Sequence, residues 1–287
     1  MTRTTRCRMA AALLLAVAGP AAAQLDPPAW TRPAAPFRIV GDIYYVGSEG
    51  LAAYLIRTRA GAILIDGTLE ANVPGIERNI ASLGVPLGSV KVLLNSHAHF
   101  DHAEGLARLK ADSGATMMAM DADRRALETG VPPSIVSYGV VKFPAVKVDR
   151  VLHDGDTVRL GGATLTAVKT AGHTPGCTTW TMPVVERGRT LRVVFPCSLT
   201  VAGNRLVGNT GYPGIVGDYR ASFARFARIR ADVVLTAHPE IAGVMERHAR
   251  ALAGTRDAFV DSALLPRIVA EAKAAFDAEL IKQQRIM

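Results

Sequence analysis

Cysteine is scarce in this chain, with three in 287 residues. The four-cysteine and two-cysteine, two-histidine patterns that hold a structural zinc are therefore absent. No G-x-G-x-x-G follows the first apolar strand, which excludes the usual dinucleotide-binding turn. No apolar run reaches the roughly 20 residues a spanning helix needs. Aromatics make up only 6% of the residues, and no basic run carries them interleaved, so the formal charge of +8 does not describe a nucleic-acid surface. Three of those charges, Arg3, Arg6 and Arg8, crowd at the N-terminus; the remaining +5 is spread along the chain among acids.

What is present begins with an export signal. The three arginines precede a short apolar stretch, residues 9–18, and Ala21-Ala22-Ala23 supplies the small residues a signal peptidase requires. The expectation is a cleaved leader over residues 1–23 and a periplasmic or secreted chain beginning at Gln24. Cys7 leaves with the leader. Cys177 and Cys197 then remain, in a compartment where disulfides persist. Two apolar segments flank the polar turn at 186–189, which predicts a hairpin. If it turns about Arg187, the two cysteines face each other across the ladder, within bridging range. The alternative is two free thiols, one of them at a metal.

Half the residues are hydrophobic (49%), enough for a sizeable core, and no linker divides residues 24–287, so one domain is expected. Strand patterns cover 38–40, 43–46, 52–57, 62–65, 90–95 and 116–120, with helical periods at 73–83, 101–111 and 121–128. Residues 129–143 have no period and form a candidate loop or lid. The second half repeats the plan: strands at 157–160, 164–169 and 232–236 around the cysteine hairpin, then helices at 219–229, 241–253 and 263–281. Strands followed by helices in each half predict an α/β fold of two mixed sheets packed face to face, helices outside.

Four apolar strands end in polar groups. One runs into His97, His99, Asp101 and His102, one into His173, one into Cys197-Ser198-Leu199-Thr200, and one into His238. Five of the seven histidines lie in these segments, and ligands commonly gather at carboxyl ends of strands. In extended chain, positions i and i+2 point the same way, so His97 and His99 can approach one ion together, while Asp101 and His102 diverge toward a second. His97, His99 and His173 make one three-ligand zinc site, and Asp101, His102 and His238 the other. Each keeps a position open, the mark of a catalytic zinc. His153 and His248 stand apart, as surface or core residues; Trp180 reads as core.

His-Ala-His-Phe-Asp-His at 97–102 resembles the H-x-H-x-D-H signature of the metallo-β-lactamase superfamily. The likeness extends through Gly172–Gly176, Ser198–Thr200, Gly208–Pro213 and Ala237–Pro239, and is strongest to the third subgroup of class B β-lactamases. It implies an αββα sandwich with two zinc ions at one sheet edge, hydrolysing the amide of penicillins, cephalosporins and carbapenems, and so antibiotic resistance. Zinc lowers the pKa of a bound water to about 7, Asp101 orients the resulting hydroxide, and no covalent intermediate is needed. Ser198 and Thr200 share a strand face and can donate to a substrate carboxylate; Asn204 and Tyr212 are candidates for the pocket wall. Superfamily thioesterases and lactonases usually place a metal-bridging Asp where this chain has Cys197-Ser198-Leu199-Thr200, which disfavours the rival lactone or thioester hydrolase. The open positions disfavour a non-catalytic zinc-binding protein. The chain is expected to act as a monomer on a small molecule, with no nucleic-acid or membrane partner.

Overall fold

The structure, a computed structural model, describes residues 27–132 and 134–286. The expected leader, residues 1–23, lies outside them. Seven strands form the first sheet in chain order: β1 (Phe37–Val40), β2 (Ile43–Tyr45), β3 (Tyr54–Thr58), β4 (Gly61–Ile65), β5 (Val90–Leu94), β6 (Thr116–Met120) and β7 (Arg150–Leu152). β1 to β4 pair antiparallel through short turns. From β4 to β7 the pairing is parallel, so helices must cross over between strands. These are α1 (Val73–Ser82), the short α2 (Phe100–Ala103) with α3 (Leu106–Ser113), and α4 (Asp121–Thr129).

The second sheet orders its five strands as β12 (Val233–Val234), β11 (Arg189–Phe195), β10 (Thr178–Glu186), β9 (Ala163–Lys169) and β8 (Thr157–Leu160). It is antiparallel except between β11 and β12. Three helices, α5 (Ile215–Phe226), α6 (Val244–Leu252) and α7 (Leu264–Ile286), complete the chain. Among the described residues no helix is long and apolar enough to cross a membrane.

Alternation sorts the core into layers. Ile63 and Ile65 of β4, Val92 and Leu94 of β5, and Met118 of β6 face inward with Trp180, Met182, Val193 and Phe195 of the second sheet. Leu64, Leu93 and Met117, one residue along, turn outward onto Ile76 and Ile80 of α1, Leu109 of α3 and Leu127 of α4. A sheet buried on both faces needs such continuous apolar strands. Val194 and Val234 belong with Tyr219, Phe223 and Phe276 of α5 and α7. The expected αββα sandwich is the fold, and Trp180 is fully buried between its sheets, its indole N–H donating to Asn95 O at 3.2 Å.

Several local expectations differ. The helix expected over 101–111 breaks at Glu104 and Gly105. Gly105 N–H donates to Thr68 O at 3.0 Å, and a Cβ there would stand 2.3 Å from Gly67 O. The hairpin turns on two residues, Arg187 and Gly188, both at positive φ (50° and 75°), the geometry that suits strand twist. Trp180 therefore faces Phe195 and Glu186 faces Arg189, one residue off the expected register. The bridge between Cys177 and Cys197 forms nonetheless, with Cα atoms 5.7 Å apart. It lies past the last ladder pair, where Cys197 N–H donates instead to Thr179 Oγ1 at 3.1 Å. β7, short and led by a charge, was not expected. Residues 134–140 of the candidate loop are tied to the 203–205 turn: Ser137 N–H donates to Gly203 O at 2.8 Å and Arg205 N–H to Ile135 O at 2.9 Å.

Candidate metal centre

Because β4 and β5 run parallel, as do β11 and β12, with β9 pointing the same way as β11, their carboxyl ends collect at shared edges. β5 runs on into His97 and His99. His99 is extended (φ −107°, ψ 155°) and caps the turn of α2, which carries Asp101 and His102 around to a different direction. His173 follows β9 through Gly172, whose φ of 145° and flush seat against the Tyr219 ring leave no room for a Cβ. His238 follows β12.

The structure brings all six side chains together. His99 Nδ1 and His173 Nε2 are 2.9 Å apart. The His97 ring lies 4.5 Å from that of His173 and 4.4 Å from that of His102, centre to centre. Donor atoms of His97, His99 and His173 fall within 4.8 Å of one another, as do those of His97, Asp101 and His102. His238 Nε2 lies 3.2 Å from both His102 Nε2 and Asp101 Oδ2, and Asp101 Oδ2 is 3.1 Å from His102 Nε2. His97 thus sits between the two groups, and His238 closes the outer one. All but His238 are buried.

Such a cluster is unfavourable without a cation. Burial, reinforced by the neighbouring imidazoles, pushes the His97 and His173 pKa values well below 6.5, and burial brings His99 to about 4. These rings are therefore neutral at pH 7. His97 Nε2 and His99 Nε2 are buried with no hydrogen-bond partner, an uncommon and costly state. His173 Nδ1 must carry its proton, because it faces Thr200 O at 2.8 Å, and that leaves the Nε2 lone pair aimed into the cluster. Burial disfavours charge on Asp101 as well, but His102 and His238 outweigh it and hold the carboxyl well below its usual range. The neutral imidazoles of His97, His99 and His173 and the Asp101 carboxylate, clustered with His102 and His238, fit divalent metal of the zinc kind.

Three outer contacts were not expected from the sequence. Asp66, buried at the end of β4 with φ 64°, accepts from Asn95 Nδ2 at 3.1 Å and Ser96 N–H at 2.6 Å, and its Oδ2 stands 3.8 Å behind His102 Nδ1. An acid ending an apolar strand was its only signal. The Thr200 carbonyl that orients His173 also accepts from Tyr219 OH at 2.7 Å. Trp30 lays its ring 5.5 Å from that of His238. Nothing in local sequence marks either partner.

Ser198 and Thr200 do share a face, their hydroxyls 3.1 Å apart, and Leu199 is buried opposite. With His238 they open on a cavity of about 250 Å³ whose other walls include Ile241 and Ala272. Asn204 is corrected: it is fully buried and does not face a pocket. Its amide donates to His173 O and Val201 O, and its oxygen accepts from Ser134, so it braces loops. Tyr212 is buried too, donating to Asp218 at 2.6 Å. His153 lies at the surface beside Asp156, and His248 stacks on Phe37 at 3.7 Å.

Residues 49–238 match the family model described as the metallo-beta-lactamase superfamily. Among solved structures, the chain is similar to BJP-1, a subclass B3 metallo-beta-lactamase of Bradyrhizobium japonicum (42% identity, TM-score 0.86, covering 90% of this chain and 98% of that one). It is also similar to the FEZ-1 metallo-beta-lactamase of Legionella gormanii (40% identity, TM-score 0.84, 88% and 98%). Curated relatives are more distant: a probable metallo-hydrolase of Burkholderia pseudomallei (30% over 120 residues) and a hydroxyacylglutathione hydrolase of Rhodospirillum rubrum (28% over 124). The matches take in 39% and 43% of this chain and span 37% and 40% of those relatives.

Proposed function

The chain belongs to the metallo-beta-lactamase superfamily, and from that premise we propose that it is an exported β-lactamase using two zinc ions to hydrolyse the lactam amide of penicillins, cephalosporins and carbapenems. The observation that carries the reading is the cavity that Ser198 and Thr200 share with His238 of the Asp101–His102–His238 group, hydroxyls lining it in the segment where a bridging carboxylate would otherwise stand. Similarity to two metallo-beta-lactamases over 98% of each supports it.

His97, His99 and His173 would hold one ion; Asp101, His102 and His238 the other. When bound, zinc supplies Lewis acidity, easing deprotonation of water and drawing charge from a carbonyl oxygen. The chain's own groups do the rest. Asp101, kept ionised, accepts a hydrogen bond from the attacking water and aims its oxygen at the acyl carbon. Ser198 and Thr200 donate to the carboxylate that lactams carry beside the ring nitrogen, fixing the amide over the cluster. The oxygen of water joins the acyl carbon, the C–N bond breaks, and the nitrogen takes a proton. Burial of five of the six side chains keeps their charges and dipoles little screened by solvent. One chain supplies the whole site, in keeping with a monomer, and periplasmic or secreted placement rests on the leader expected from the sequence of residues 1–23.

A zinc-dependent lactone or thioester hydrolase is the second reading, favoured by the hydroxyacylglutathione hydrolase likeness and opposed by the missing Asp. Purified, zinc-loaded chain offered a chromogenic cephalosporin, a lactone and a thioester separates the two. The cephalosporin is hydrolysed fastest, a chelator abolishes turnover, and His97→Ala loses metal and falls beyond the ~10–100-fold that loss of an outer partner brings. An intact cephalosporin beside a cleaved thioester overturns the proposal.

A further inference from the structure

Resting on the reading of His97, His99 and His173 as one metal site, we infer that Asp123 is a positioning residue that locks together the two loops carrying those histidines. Asp123 is 1% exposed, in the first turn of α4, and belongs to neither loop. Its Oδ2 accepts from Ala98 N–H at 2.9 Å and Thr174 Oγ1 at 2.7 Å; its Oδ1 accepts from Gly176 N–H at 2.7 Å. Ala98 lies between His97 and His99, and Thr174 follows His173. One carboxylate therefore ties the residue between His97 and His99 to the two residues Thr174 and Gly176 that follow His173, though it touches none of the three ligands. The fit is close, since a Cβ on Gly176 would lie 2.5 Å from Asp123 Cγ.

The chemistry requires an acid. All three partners donate, and a carboxylate only accepts. An amide in its place turns an NH₂ toward either Ala98 N–H or Gly176 N–H, donor against donor, so one loop must move away. Outer partners that orient metal ligands are typically worth 10–100-fold in metal affinity.

The test is titration of metal-free protein with cobalt(II), read by visible absorption. In Asp123→Asn one of two cobalt equivalents binds about 10–100-fold more weakly with an altered spectrum, the other is unchanged, and excess metal restores turnover. Thr174→Val, which keeps the charge and removes one donor, shifts the same equivalent by less. Folded Asp123→Asn with both affinities and the spectrum unchanged, even at a lower melting temperature, overturns the inference. Should Asp123→Asn fail to fold, unchanged cobalt binding in Thr174→Val overturns it. Cobalt-binding wild-type protein that leaves a cephalosporin intact contradicts the β-lactamase reading alone.

Discussion

The rings of His97, His99 and His173 are neutral because burial and their neighbours deny them a proton, and this ties stability to pH. Their pKa values in the metal-free fold lie below the ordinary 6.5, that of His99 at about 4. As pH falls from 6.5 toward 4 the unfolded chain takes up protons the folded one refuses, so folded protein loses stability. His102 opposes this, since Asp101 and Asp66 overcome its burial and raise its pKa, and Asp66 and Asp123, whose carboxyls burial pushes up, oppose it too; His248, lowered by burial, adds to the three rings. Thermal melts in chelator are expected to show a midpoint that declines across this window; a flat or rising midpoint contradicts the account. Ser198 and Thr200 make a separate prediction. Replacing either with Ala removes a donor to a charged group, raising KM for a carboxylate-bearing lactam by roughly tenfold with kcat little changed. A fall in kcat at constant KM would place the hydroxyls in the reaction itself. The six clustered side chains were legible because strand ends and the i, i+2 rule place them. Asp66, Asp123 and the Thr200 carbonyl were not, because each acts through a fold-dependent contact 25 to 53 residues away.

At the scale of elements, the strong apolar strands at 62–65, 90–95 and 116–120 were readable from pattern. β7 was not, being three residues long and held by its pairing with β6. The helix over 101–111 looked continuous because propensity does not register the close approach of Gly105 to Gly67. The hairpin register missed by one residue, since a two-residue turn centres between residues rather than on Arg187. That the cysteines still meet shows their pairing is set by the chain beyond the ladder. Their bridge closes a 20-residue separation, which contributes about 3 kcal/mol through the unfolded state. A Cys177→Ser, Cys197→Ser double variant is expected to melt roughly 6–12 °C lower. It also frees the segment leading into Ser198, so KM rises with it; an unchanged midpoint would mean the bridge constrains nothing.

Across the whole molecule, the sandwich exists because two sheets each need their inner faces covered, and the site exists because the parallel pairings bring strand ends together. Sequence pattern anticipated that architecture from the order of elements. The precise convergence of His238 and His173, 65 residues apart in the chain, is a property of the sheets. Asn204 shows the converse: a polar loop residue near the site whose side chain is consumed in holding the fold. The central claim is that the six clustered residues form a two-metal centre that hydrolyses lactams. Stepwise zinc titration of the metal-free chain, with cephalosporin turnover and bound metal followed together, tests it most directly. The account predicts turnover that rises with loading and saturates at two bound equivalents; metal bound without turnover, or saturation without metal, would contradict it.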